Sequence, residues 1–152
     1  MIRILFICHG NICRSPAAEM VMNQIIKMRH LQAFAASSAT TREEIGNDIY
    51  PPMARELRRR GILIKPHCAR QTVRADYDAY DLIIGMDQEN REDLFHIFGG
   101  DPRHKISLLL SWCNEARDVS DPWYTRDFAG ALDDIEKGCA ALAETIEMKM
   151  VK

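Results

Sequence analysis

The sequence predicts an α/β fold: one domain over residues 1–152, a three-layer sandwich around a central four-stranded parallel sheet. Three observations carry this. Near-continuous apolar runs, the pattern of strands buried on both faces, recur at 2–7, 81–86 and 106–110. Segments of helical period separate them, as parallel strands require. The chain has no repeat, low-complexity tract or linker at which a second domain would begin, and 152 residues suffice for one core.

The elements follow in order. Ile2 to Ile7 is apolar apart from Arg3 and reads as a first strand ending at Cys8. Ser15 as N-cap and Pro16 at the first helical position predict a helix to about Arg29, with Ala18, Val21, Met22, Ile25 and Met28 on its inner face. Ala33 to Ser37 is poor in β-branched residues but falls where the β/α alternation requires a second strand. A polar loop then runs to Gly46, and a helix from about Pro52 to Arg60 stops at Gly61. Its last-turn cations, Arg58 to Arg60, complement the helix dipole and form a solvated face. Asp81 to Met86 is the third strand, and Asp87 caps a helix that Gly99 and Gly100 end after Phe98. Ile106 to Leu110 supplies the last strand or a strand-to-helix junction. Phe128, Leu132, Ile135, Cys139, Leu142 and Ile146 recur three or four apart and predict an amphipathic helix from about Asp127 to Met148, with Cys139 in the core.

The chemistry lies between the first strand and the first helix. In Cys8-His9-Gly10-Asn11-Ile12-Cys13-Arg14-Ser15-Pro16 a thiol ends a strand and a helix begins just beyond it. Gly10 tolerates positive φ and Asn11 visits the left-handed region readily, so the loop can turn its N–H groups inward as a nest for a dianion. Arg14 would close that cradle with a planar, permanently charged guanidinium. The same field stabilises a thiolate, to which Ser15 can donate, and Cys8 reads as a nucleophile beneath a bound phosphate or other oxyanion. Cys8, His9 and Cys13 could also be zinc ligands, but no fourth ligand is evident and no metal is expected.

Composition narrows the class. Twenty basic against 22 acidic side chains leave a formal charge of −2, with no general pull toward nucleic acid or an anionic membrane. The N-terminal apolar run is too short for a signal peptide or a membrane span. Five cysteines without framework spacing suit a reducing compartment, and a cytoplasmic location is expected.

A phosphoryl group leaving from an ester oxygen needs a proton that the cradle cannot supply. Asp121 in Asp121-Pro122-Trp123-Tyr124 is the candidate acid, stiffened by the proline, with Trp123 and Tyr124 offering aromatic surface to a substrate ring.

The Cys-x5-Arg-Ser loop at the N-terminus resembles that of the low-molecular-weight protein tyrosine phosphatases. The likeness extends to Ser37-Ser38-Ala39-Thr40, to His67-Cys68-Ala69-Arg70-Gln71, to Met86-Asp87 with Asn90, and to Asp121-Pro122 as the general-acid loop. It implies a flavodoxin-like, Rossmann-like winding and hydrolysis of phosphotyrosine or small aryl phosphates through a phosphocysteine, with no cofactor and with a phosphotyrosine-containing protein as partner. It also implies that Asn11, Ser15, Ser37 and His67 hold the phosphate loop in shape. Cys13 could form a reversible disulfide with Cys8 and shield it from over-oxidation. Two departures stand out: Glu43 occupies the place of a crevice aromatic, where a carboxylate cannot stack on a phenyl ring, and Thr125 replaces a usual glycine. Thioredoxin-coupled arsenate reductases resemble the chain in fold and loop, but they use two further neighbouring cysteines, whereas Cys68, Cys113 and Cys139 lie far apart. Relatives that hydrolyse phosphoarginine carry threonine where Ile12 stands. A non-catalytic phosphoresidue-binding module would not need Cys8, Arg14 and Asp121 together.

Overall fold

The computed structural model describes residues 1–151; Lys152, the last residue of the expected domain, lies outside them. Four strands, β1 (Ile2–Cys8), β2 (Ala33–Ala39), β3 (Leu82–Gly85) and β4 (Ile106–Leu108), form one sheet in the order β2-β1-β3-β4. All pairings are parallel, with Cys8 beside Ala39 and Ile7 beside Gly85. The side chains of β1 alternate between two cores, as the pleat requires. Ile4, Phe6 and Cys8 face α1 (Arg14–Arg29), α2 (Pro51–Arg59) and α6 (Phe128–Val151), while Leu5 and Ile7 face Tyr77 of the short α3 (Asp76–Ala79) and Leu94 and Phe98 of α4 (Gln88–Phe98). These are the three expected layers. Every strand delivers its C-terminal end to the same edge, where Cys8 sits.

β2 is an edge strand, and the Asn23 side chain of α1 bonds both the N–H and the carbonyl of Ala35 on it. Asp87 caps α4 in a reciprocal box with Asn90, and Gly99 ends that helix at φ 73°. The uncertain segment after Lys105 resolves into both alternatives, three residues of strand and then a 3-10 turn, Leu109–Cys113.

Four expectations about α1 and its loop are corrected. The helix begins at Arg14 with Cys13 at its N-cap, two residues ahead of a start at Pro16. Ser15 does not cap it, because it lies inside the first turn, where its hydroxyl is engaged by Asn11 and Cys8; Pro16 still fits in that turn, where its missing N–H has no intrahelical acceptor. Met28 faces solvent at 72% exposure in the last turn, while Ala18, Val21 and Met22 are buried. Positive φ belongs to Asn11 (59°) and not to Gly10. A Cβ at Gly10 would come within 3.3 Å of Glu44 Cγ, a tight contact that a small shift of that side chain would relieve.

Candidate active site

Cys8 ends β1 at the centre of the sheet and is 3% exposed. Its Sγ lies 3.0 Å from Ser15 Oγ and accepts from the Ser15 N–H at 3.4 Å. Ser15 is also bonded from its other side. The Asn11 amide donates to Ser15 Oγ (2.8 Å) and to Ser37 Oγ (2.9 Å), while its carbonyl oxygen accepts the Arg70 N–H (3.2 Å). Ser37 in turn donates to the Glu19 carboxylate at 2.6 Å. Accepting from Asn11 leaves the Ser15 proton free, and when Cys8 is a thiolate, with no proton to give, Ser15 is the donor to the sulfur.

This network keeps a strained loop in shape. Asn11 is fully buried at φ 59°, and its carbonyl is held by His67 Nε2 at 2.6 Å, with the ring nitrogen as donor. Tyr50 donates its N–H to the Ile12 carbonyl at 2.6 Å. The N–H groups of Gly10, Asn11, Ile12 and Cys13 donate to no protein acceptor among the described residues, as an anion nest requires. The four supporting residues named from the sequence, Asn11, Ser15, Ser37 and His67, therefore form one connected set.

Arg14 opens α1 and is 2% exposed, a buried cation that needs partners. Its Nη1 donates to Asp87 Oδ2 (2.8 Å) and to the Val119 carbonyl (2.9 Å), and its Nη2 lies 3.4 Å from Asp121 Oδ2. Burial would pull its pKa down, but the negative charges of Cys8, Asp87 and Asp121 outweigh this and hold it above the ordinary value. Asp121 caps α5 (Pro122–Thr125) by accepting the Trp123 N–H on its other oxygen at 3.0 Å. The Asp121 loop and the Cys8 loop are thus joined through one guanidinium.

A cleft of about 410 Å³ lies over these groups, lined by Cys8, His9, Gly10, Ile12, Cys13 and Arg14 on its floor. Glu43, Trp123 and Tyr124, the residues expected to meet substrate, line it too. Glu43 is paired with His9 Nε2 at 2.9 Å across the rim. Cys13 is a neutral thiol, its pKa pushed far up by burial and by the neighbouring Cys8.

Several contributors escaped the sequence reading. Asp87 was visible as a cap, but its hold on Arg14 pairs residues 73 apart. Glu19 sits on the helical face turned to β2, one turn beyond Ser15, which is a weak signal that could have been followed. The Val119 carbonyl left no trace in the sequence. Neither did Tyr50, which lines the cleft and packs on Trp123 from the start of α2.

A strand-end thiol, a buried guanidinium and a loop of open N–H groups at a helix N-terminus make an oxyanion-binding site with a cysteine at its base. The chain belongs to the low molecular weight phosphotyrosine protein phosphatase family, whose profile matches residues 3–152. It is 36% identical over 151 residues to the low molecular weight protein-tyrosine-phosphatase YfkJ of Bacillus subtilis, with 97% of each chain covered. The crystal structure of YfkJ superposes with a TM-score of 0.94 at 35% identity, covering 98% of this chain and 96% of that one. A Staphylococcus epidermidis low molecular weight protein-tyrosine-phosphatase, PtpA, is 33% identical over 152 residues, covering 96% of this chain and 94% of its own. A protein tyrosine phosphatase from Entamoeba histolytica, solved with Hepes in its active site, matches at 29% identity and a TM-score of 0.90 over 99% of both chains. The enzyme is a protein tyrosine phosphatase of the low molecular weight class.

Proposed function

We propose that Cys8 is the nucleophile, Arg14 the transition-state cation and Asp121 the general acid and base of this phosphatase, acting on phosphotyrosine-containing proteins. The Cys8 thiolate attacks phosphorus in line; the S–P bond forms as the P–O bond breaks, and Asp121 gives its proton to the departing phenolic oxygen. Water then attacks the phosphocysteine, Asp121 takes its proton, and the S–P bond breaks to release inorganic phosphate and the thiolate. Arg14 and the loop N–H groups stabilise the equatorial oxygens in both steps, and the Ser15 hydroxyl stabilises the sulfur as leaving group.

The observation that carries this reading is the convergence on Arg14: one buried guanidinium lies within 3.4 Å of the acid while its backbone starts the helix that faces the thiol. The five free cysteines support work in a reducing compartment, the cytoplasm, where a Cys8–Cys13 linkage would form only under oxidative stress. Among the described residues no helix is long and apolar enough to cross a membrane.

The test is hydrolysis of a phosphotyrosine peptide with chelator present. Cys8→Ser abolishes turnover and keeps phosphate binding, and Asp121→Asn lowers kcat by about 10²–10⁴-fold, the usual contribution of a positioned acid. Full activity in either variant would overturn the assignment.

A further inference from the structure

Glu43, on the rim loop, gives the cleft no aromatic surface, since its carboxylate is held by His9 at 2.9 Å; the aromatic side chains that line it are Tyr50, Trp123, Tyr124 and Phe128. We infer that Tyr50, at the start of α2, is the aromatic wall that receives the substrate's phenyl ring and sets the preference for aryl over alkyl phosphates. This rests on the phosphatase reading of the same site and assigns a residue to its specificity.

The geometry is specific. Tyr50 lines the cleft together with Cys8, Ile12, Arg14, Asp121 and Trp123. Its backbone is tied to the phosphate loop by the N–H bond to Ile12, and two prolines, Pro51 and Pro52, stiffen the chain directly after it. Its ring is backed by Phe128 of α6, with centroids 5.9 Å apart and planes at 30°, and meets Trp123 of the acid loop at 5.7 Å. Arg126 then closes the set, donating to the Tyr50 hydroxyl at 3.3 Å while its guanidinium lies over the Trp123 ring at 5.7 Å. A ring clamped on one face, bonded at its tip and anchored at its backbone is preorganised for stacking, so little freedom is lost when a substrate ring lands on it. Trp123 and Tyr124 are 54% and 82% exposed, so Tyr50 is the more firmly held part of the wall.

The experiment compares binding of benzylphosphonate and methylphosphonate to the wild type, Tyr50→Leu, Tyr50→Phe and Glu43→Ala by calorimetry, with circular dichroism to confirm folding. Tyr50→Leu lowers the benzyl-to-methyl affinity ratio by about tenfold, the size of one aromatic contact. Tyr50→Phe keeps the ring, loses only the bond to Arg126 and retains the ratio, which guards against misfolding as the explanation. Glu43→Ala removes a charge and no aromatic surface, shifting both phosphonates in the same direction. An unchanged ratio in Tyr50→Leu with normal methylphosphonate binding overturns the inference and leaves the phosphatase reading standing. A wild type that binds neither phosphonate overturns both.

Discussion

Ser15 shows how a single hydroxyl can be worth more than its helix position suggests. It accepts from Asn11 and keeps its proton for the Cys8 thiolate, so Ser15→Ala removes the donor to sulfur and leaves one buried Asn11 N–H unpaired. The expected cost is about 1–3 kcal/mol of stability, read by urea unfolding. Hydrolysis of the phosphocysteine should slow about tenfold relative to its formation, which stopped-flow detects as a larger burst of phenol. A normal burst would show that the Ser15 proton does not reach the sulfur. At this scale the sequence was legible wherever a residue's role follows from its neighbours in the chain: Cys8, Arg14 and Ser15 fall in one loop, and their chemistry demanded an acid such as Asp121. It misled where two local roles competed for one group. Ser15 is a sound N-cap by propensity, but the helix already begins at Arg14, so Ser15 lies inside the first turn, where its oxygen accepts from the Asn11 amide instead of a helix N–H.

The helices carry the site by their ends. The N-terminus of α4 does so twice over, because Asp87 uses Oδ1 to cap Asn90 and Oδ2 to hold Arg14. Asp87→Ser separates the two duties, since serine caps as well as aspartate but cannot neutralise a buried guanidinium. We expect a loss of about 3 kcal/mol in phosphate-free buffer, partly recovered by millimolar phosphate that supplies the missing negative charge. A melting temperature insensitive to phosphate would refute the pairing. Elsewhere α6 crosses the 3-10 turn so closely that a Cβ on Gly138 would lie 2.5 Å from Leu109 Cγ. Gly138→Ala should therefore cost about 1–3 kcal/mol despite alanine's better helix propensity, and a stabilised variant would contradict that packing. The long periodic elements were readable to within a few residues. The single-turn helices α3 and α5 were not, because four residues are too few to show a period, and α5 exists largely through its cap and Pro122.

Taken whole, the sheet separates function from stability along its strand axes. The C-terminal edge holds the thiol and its anion nest, with backbone donors left open and a buried cation. The opposite edge is stitched with satisfied charges: Asp81 accepts from the Arg3 backbone and guanidinium where β1 and β3 begin, and Asp101 accepts from Tyr77 (2.6 Å) and from the N–H groups of Lys105 and Ile106 where β4 begins. The alternation of elements foretold the layers, but this division could not be read in advance, because it depends on residues as distant as Arg3 and Asp81 meeting across the sheet. It has a consequence in acid. The bond from Arg3 holds the Asp81 carboxyl below its usual range; burial would raise Asp101, but the bonds from Tyr77, Lys105 and Ile106 outweigh it and depress that carboxyl as well. A depressed folded-state pKa means the unfolded chain binds protons first, so the stabilisation is complete above the unfolded value of about 3.9 and is lost as pH falls through the lower folded values. The free energy of unfolding, followed by urea titration from pH 6 to pH 3, should hold down to about pH 5 and then fall. In Asp101→Asn, which keeps the shape but not the charge, stability at pH 6 is lower and the fall below pH 4 shallower. Parallel curves for the two proteins would mean that the carboxylate at the start of β4 does not govern acid stability.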